Sequence, residues 1–107
     1  MNVKIVTFAP LDYADVVRQA MGDAGAGEQE NYTRCSFSSV GEGRFMPTAG
    51  AEPFIGKVGE LEIVQEERIE MICERSRAKA VVAALKRAHP YEEVPVDIIP
   101  LLDEDEL

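Results

Sequence analysis

Two segments with helical periodicity, each enclosed by segments with strand-like alternation, limit this 107-residue chain to few folds. In the helical segments apolar residues recur every three or four positions, which places them on one face of a helix. In the strand-like segments β-branched and aromatic residues form short runs bounded by glycine and proline. The predicted elements, in chain order, are strand 3–8, helix 12–24, strand 31–40, strand 61–73, helix 76–88 and strand 94–101.

This order is that of two split βαβ halves, and it predicts an α+β, ferredoxin-like βαββαβ sandwich. Such a sandwich has an antiparallel sheet with both helices on one face. Pro95 and Pro100 have no donor for the ladder, so we expect the last strand at a sheet edge. The length fits a single domain over residues 1–102, followed by an acidic tail over residues 103–107 that we expect to be frayed.

Local signals set the expected helix ends. Asp12 and Ser76 are residue types that cap free amides at helix starts, and we expect them to do so here. Gly25 is expected to end the first helix, because glycine tolerates the left-handed conformation that follows many helices. Pro90 is expected to end the second helix, because it disfavours helical geometry in the preceding residue.

The sheet face opposite the helices is expected to need a partner. Two helices cannot cover both faces of a four-stranded sheet, yet the alternation places Val6, Phe8 and Ile72 on the uncovered face. Exposed apolar patches of this kind mark interaction sites. A closed homo-oligomer, formed sheet face to sheet face, is the simplest arrangement that covers them.

Residues 41–60 are predicted to form a long ordered loop. They contain five glycines and two prolines, but also Phe45, Met46, Phe54 and Ile55, which a plain flexible linker would lack. Loops of this length are often functional. Two possibilities stay open: an arm that packs on a neighbouring subunit, and a contact site for a small-molecule or protein partner.

Charge and composition exclude several classes of partner. The formal net charge of −9 argues against binding nucleic acid or an anionic membrane, because both need a basic surface. No apolar run approaches the roughly 20 residues of a membrane helix, and the N-terminus does not resemble a signal peptide, so a cytoplasmic location is expected. Cys35 and Cys73 fit no zinc motif and are expected to be ordinary half-buried thiols.

The segment 89–97 holds the only histidine together with several carboxylates. A neutral imidazole at His89 with Glu92, with Glu93 or with another subunit's carboxylates forms a set that binds divalent metal ions, so His89 and Glu92 are candidate metal ligands. A histidine between a helix end and a proline also commonly bonds within its own turn. Arg68 and Glu70 are candidates for an intersubunit ion pair or a ligand contact, or else for an exposed surface pair.

No arrangement typical of an enzyme is visible. Ser36 and Ser38 have no nearby base, and Cys35 has no adjacent cation beyond Arg34 to lower its pKa. The run Gly41-Glu42-Gly43 is not a phosphate-binding loop, because no helix follows it. We therefore expect a protein without enzymatic activity.

Several motifs carry a family resemblance: Asn31-Tyr32, Cys35-Ser36-Phe37, Gly41-Glu42-Gly43-Arg44-Phe45, Glu66, Arg68-Ile69-Glu70 and His89-Pro90-Tyr91-Glu92-Glu93-Val94. Over roughly residues 2–101 the chain resembles the domain inserted in YqfO-type proteins, which belong to the NGG-one interacting factor three-like metalloproteins. That domain is related to the PII signal proteins and to CutA. The resemblance implies a PII/CutA-like fold, a homotrimer, and a ligand- or partner-contacting role for residues 41–60.

The resemblance leaves two functions open. Full-length members hold two metal ions with several histidines and acids in flanking segments, and a chain with one histidine is expected to be the inserted module standing alone, without that dinuclear site. The first function is a non-enzymatic oligomeric binding or regulatory module. The alternative is a CutA-like divalent-metal-binding protein with its site at subunit interfaces. In the first case the candidate ligand-binding residues are His89, Glu92, Glu93, Arg68 and Glu70.

Overall fold

The chain forms four strands and two α-helices in the predicted order, and the computed structural model describes all 107 residues. The elements are β1 (Asn2–Pro10), α1 (Leu11–Asp23), β2 (Phe37–Phe45), β3 (Glu62–Glu74), α2 (Arg75–Ala88) and β4 (Val96–Pro100). A short 3₁₀ turn, Glu104–Glu106, lies in the acidic tail that the sequence predicted to be frayed.

The strands form one antiparallel sheet in the order β2-β3-β1-β4. In this register Ile5 of β1 lies between Met71 of β3 and Ile98 of β4. The predicted α+β, ferredoxin-like fold is therefore confirmed. β4 is at a sheet edge, as Pro95 and Pro100 predicted, so no second neighbouring strand needs the donor that Pro100 lacks.

One layer of apolar side chains joins the sheet to both helices. Alternate residues of β1 and β3 point to the same face, and the helices place their apolar stripes against it. Burying a large aliphatic side chain of this kind contributes about 1.5–3 kcal/mol. The core residues are Val3, Ile5, Ala9, Ile69, Met71 and Cys73 from the sheet, and Ala14, Val17, Met21, Ala78, Val81 and Leu85 from the helices.

The second strand begins later than the sequence predicted. Strand-like alternation suggested residues 31–40, but β2 runs from Phe37 to Phe45 and so includes residues 41–45 of the predicted loop. Arg34 has φ 58°, and the amide of Cys35 bonds the carbonyl of Gly27 at 2.9 Å, so this stretch folds back on the end of α1. The connection between β2 and β3 is therefore residues 46–61, which is shorter than the predicted 41–60.

The predicted helix caps at Asp12 and Ser76 are wrong. α1 follows β1 directly after Pro10, and α2 follows β3 directly after Glu74, so both candidates lie inside the first turn and neither helix start has a side-chain cap. The predicted end of α2 is confirmed, because His89 leaves helical geometry at the residue before Pro90.

The helix-free sheet face is less apolar than predicted. Val6 is only 1% exposed within the single chain, and the guanidinium of Arg68 lies 5.7 Å from the centre of the half-buried Phe8 ring. Lys4 and Glu70 form an ion pair at 3.1 Å on the same face. Within the sheet, most of the large exposed apolar side chains lie on the two edge strands: Phe37 and Val40 on β2, and Ile98 and Ile99 on β4.

The protomer is elongated. Its radius of gyration is 15.0 Å and its extents are 48 × 27 × 23 Å, whereas a compact domain of this length has a radius of gyration of about 13 Å. Only 21 of the 107 residues are buried, because β2 is exposed along most of its length. None of the helices has the length and hydropathy needed to cross a membrane.

Candidate functional site

A cleft of about 740 Å³ opens over the helix-free face of the sheet. It is bounded by β2, by loop 46–61 and by the segment 89–95 that connects α2 to β4, and we call it the hairpin cleft. Its floor includes side chains of β1 and β3 that point away from the helices, among them Phe8, Glu66 and Arg68. The cleft thus lies where β2 and β3 meet the segment 89–95, which holds the only histidine.

Aromatic contacts hold loop 46–61 over this cleft. Phe54, from the loop, packs edge-on against Tyr13 of α1, with ring centres 5.7 Å apart. Tyr91 lies between Phe54 and Phe45, with ring centres at 6.5 and 6.2 Å. The amide of Glu52 also donates to the carboxylate of Glu92 at 3.0 Å. The loop is therefore anchored to α1 and to the segment 89–95, as the apolar residues in it predicted.

A chain of hydrogen bonds connects the cleft floor to β1. The hydroxyl of Tyr91 donates to Oε2 of Glu66 at 2.8 Å, and the amide of Tyr91 donates to Nδ1 of His89 at 3.1 Å. Nε2 of His89 lies 2.6 Å from the carbonyl oxygen of Phe8, so it carries the proton and donates it. Burial raises the pKa of the Tyr91 phenol well above its ordinary value, and the adjacent carboxylate of Glu66 adds to this effect.

This arrangement restrains His89. The side chain is 6% exposed, and burial lowers the pKa of the imidazole, which keeps it neutral at pH 7. One ring nitrogen donates to Phe8 and the other accepts from Tyr91, so neither is free to bind a metal ion in this conformation. In the structure His89 thus bonds within its own chain, which is one of the two roles that the sequence left open.

Glu92 and Glu93 lie at the rim of the cleft, as the sequence proposal for a ligand site requires. Both are exposed, and the carboxylate of Glu92 accepts a hydrogen bond from the amide of Glu52. No group of three or more histidine, cysteine and acidic side chains comes together anywhere in the chain. The proposed His89 and Glu92 pair thus has no third ligand from the same protomer.

Arg68 and Glu70 are brought together, but within one chain. Nε of Arg68 donates to Oε2 of Glu70 at 3.0 Å, and Lys4 approaches the other oxygen at 3.1 Å. The bond from Lys4 and, to a smaller extent, the bond from Arg68 lower the pKa of Glu70. Arg68 and Glu70 thus pair with each other inside the protomer, two positions apart on β3, and a contact with a neighbouring subunit stays a prediction. Arg68 lines the cleft, whereas Glu70 does not.

Glu66 is the site residue that the sequence did not distinguish. It stands among several acidic residues on β3, a pattern typical of a solvated sheet edge, yet it is only 9% exposed. Two of its neighbours in the structure are distant in sequence: Tyr91, and Gly43 on the adjacent strand. A clue was available in the glycines of β2, because a glycine inside a strand often marks a close approach by another group.

Comparison with known proteins finds relatives that align with nearly the whole chain. No family model matches the chain. It is 50% identical over 98 residues to the Bacillus subtilis protein named GTP cyclohydrolase 1 type 2 homolog, an alignment that covers 92% of this chain and 26% of that protein. The chain therefore spans about a quarter of the length of such curated relatives.

Solved structures give the same result. The Bacillus cereus protein related to NIF3 is 46% identical, with a TM-score of 0.84, and the match covers 95% of this chain and 26% of that one. The divalent cation tolerance protein CutA from Archaeoglobus fulgidus is 17% identical, with a TM-score of 0.70 over 96% of this chain and 86% of that one, which is evidence of fold alone. Over nearly its whole length the chain is thus homologous to one segment of the NIF3-related proteins, and it has the PII/CutA-like fold that the motifs predicted.

Proposed function

We propose that this chain is a non-enzymatic homo-oligomeric module, with a trimer as the favoured assembly, and that it binds its ligand or partner at the hairpin cleft. The single observation that carries the proposal is the cleft itself. It is large enough for a small organic molecule, and sites of this size with apolar walls and a few polar groups are typical of ligand binding. Loop 46–61 forms one wall and is anchored by specific contacts.

Assembly is supported by the edges of the sheet. β2 and β4 each have one unpaired side, and both carry exposed apolar residues such as Val40 and Ile99. Unpaired strands of this kind associate readily with other strands unless they are protected. The elongated shape and the small core add to this argument, since a protomer that buries few residues gains from contact with copies of itself.

The relatives bear on the proposal in a limited way. The curated proteins are named as homologues of a GTP cyclohydrolase, but this chain corresponds to about a quarter of their length. The CutA neighbours are named divalent cation tolerance proteins. That name favours an alternative function, metal binding, in which His89 and Glu92 would meet carboxylates of a neighbouring subunit. A cytoplasmic location, without nucleic-acid or membrane partners, belongs to the main proposal.

The assembly is tested by sedimentation equilibrium of the full chain at micromolar concentration. We expect a mass about three times the 11.8 kDa of the protomer. Ile99→Lys places a charge at the β4 edge and should shift the mass toward that of the protomer. Leu107→Lys is the control, because Leu107 is 95% exposed at the end of the tail and should leave the mass unchanged. A monomeric unmodified chain would contradict the proposal.

A further inference from the structure

The charges around the hairpin cleft are not balanced. Four carboxylates line it, together with the two guanidinium groups of Arg44 and Arg68. Arg44 pairs with Glu42 at 3.3 Å, and Arg68 pairs with Glu70, which lies outside the cleft. The three remaining carboxylates, those of Glu66, Glu92 and Glu93, form no ion pair with any cation of the chain.

Glu66 is the most unusual of these three carboxylates. It is 9% exposed, and its only hydrogen bond comes from the Tyr91 hydroxyl to Oε2. Oε1 receives no bond from the protein. A buried carboxylate without a cation is costly, so most such groups are paired or bind a metal or ligand. Because Glu66 lines the cleft, a cation can approach Oε1 from the cleft.

The walls next to Glu66 are aromatic. The ring centre of Tyr91 lies 6.2 Å from that of Phe45 and 6.5 Å from that of Phe54, and Phe8 lies on the floor. The faces of aromatic rings attract organic cations, and this attraction is larger where water is partly excluded. An anion would meet three uncompensated carboxylates instead. The pattern therefore favours a positively charged ligand with an apolar or aromatic body.

We propose that the hairpin cleft binds an organic cation, a primary amine or a guanidinium with an aromatic or apolar body, whose charged group bonds Oε1 of Glu66. This inference names the ligand class for the cleft and so rests on the proposed function. The charged group donates to the carboxylate, and the body of the ligand packs against Phe45 and Phe54. Glu92 and Glu93 add negative charge at the rim, which raises the local concentration of the cation.

The test uses two small probes of matched shape and opposite charge, phenethylammonium and phenylacetate, titrated into the ¹⁵N-labelled full chain. We expect phenethylammonium to shift the amide signals of Gly43, Phe45 and Tyr91 saturably, and phenylacetate to leave them unchanged. Equal shifts with both probes, or none with phenethylammonium at millimolar concentration, would overturn the proposal.

Variants locate the charge. Glu66→Gln keeps an acceptor for the Tyr91 hydroxyl but removes the charge, and it should weaken phenethylammonium binding by about tenfold or more, as expected for losing one charged hydrogen bond. Glu93→Gln, a carboxylate at the rim, should weaken it by no more than about threefold. Phe54→Leu leaves Glu66 intact and should weaken binding several-fold through the lost ring. Equal effects of Glu66→Gln and Glu93→Gln would contradict an anchoring role for Glu66.

The sedimentation mass of the same proteins separates this inference from the assembly proposal. A trimer that fails to bind phenethylammonium refutes the cation site and leaves the assembly standing. A monomer that binds the probe through Glu66 supports the site and refutes the assembly. If Glu66→Gln changes the mass, the cation that Glu66 meets is a side chain of a neighbouring copy, and the ligand site is refuted.

Discussion

The carboxylate of Glu66 fills the space that the missing side chain of Gly43 leaves open: a Cβ atom built on Gly43 would lie 1.7 Å from Oε1 of Glu66. The two residues are diagonal neighbours on β2 and β3, since Gly43 is paired with Val64 and Glu66 with Gly41. The Glu66 side chain leans along the sheet toward Gly43 while it accepts the bond from Tyr91. The missing side chain at position 43 therefore determines where the buried carboxylate lies.

Gly43→Ala is expected to destabilise the fold. The new methyl group must displace the Glu66 carboxylate, which strains or breaks its bond to Tyr91, and overpacking of this kind costs about 1–3 kcal/mol. The free energy of unfolding in urea measures the effect. The matched control is Gly41→Ala, where an added Cβ meets nothing within 4 Å, so that it should be neutral or stabilise by about 0.5–1 kcal/mol. Equal effects of the two substitutions would contradict the close contact.

Tyr91→Phe is expected to cost about 1.5–3 kcal/mol, because it removes the only hydrogen bond to a buried carboxylate and leaves that charge unsatisfied. The unfolding free energy of Tyr91→Phe in the background of Glu66→Gln should fall by less, since the charge is then absent. Tyr32→Phe serves as the control, because Tyr32 is 73% exposed and makes no side-chain hydrogen bond. Strictly additive effects of Tyr91→Phe and Glu66→Gln would show that the charge of Glu66 does not strengthen the bond to Tyr91.

The stability of the fold should decrease as the pH falls below about 6.5, through His89. Burial lowers the pKa of His89 in the folded chain, although the Phe8 carbonyl and Glu66 oppose this. The unfolded chain then binds a proton at about pH 6.5, the ordinary histidine value, while the folded chain does not. The contribution of His89 is therefore complete above that pH and is lost as the pH falls toward the lowered folded pKa.

The measurement is the unfolding free energy at several pH values between about 7.5 and 5, a window above the ordinary pKa of the carboxylates. His89→Gln has no titrating group at this position and should flatten the dependence. An unchanged slope in the variant would assign the pH dependence to other groups.

Divalent metal binding should not depend on His89. Both imidazole nitrogens are engaged, with the carbonyl of Phe8 and the amide of Tyr91, so a metal ion would have to break a hydrogen bond of a buried side chain to reach either of them. We expect calorimetric titration with Zn²⁺ to give the same heats for the unmodified chain and for His89→Gln. Saturable binding that disappears in the variant would instead establish the metal-binding alternative.

Much of the fold was predictable because it depends on short-range geometry. The stripes Val17 to Met21 and Ala78 to Leu85 follow from the helical period, and the alternation in β3 correctly places Ile69 and Met71 on the buried face. The end of α2 at His89 follows from the ring of Pro90 alone. Errors arose where a contact specific to the folded chain overrode the local pattern, as at Cys35, whose amide donates to the carbonyl of Gly27 instead of joining the sheet.

The candidate site was predictable only in its outline. Sequence motifs pointed to the segment around His89 and to the glycine-rich region, and both border the cleft. Local signals could not separate Glu66 from the other acids of β3, because its burial depends on Tyr91, 25 positions away, and on the pairing of β2 with β3. The same applies to Val6, which alternation placed on an uncovered face but which is buried within the protomer.

The amino-acid sequence by itself determined the order of the elements, the inward face of each helix, and the choice of the loop and the His89 segment as candidate binding segments. The tertiary structure decided which groups meet there: a neutral histidine bonded at both nitrogens, an ion pair within one strand, and a buried carboxylate with one free oxygen. The reason is physical. Periodicity is a property of each helix or strand alone, whereas burial and pairing of charges depend on the register between strands that are distant in the chain.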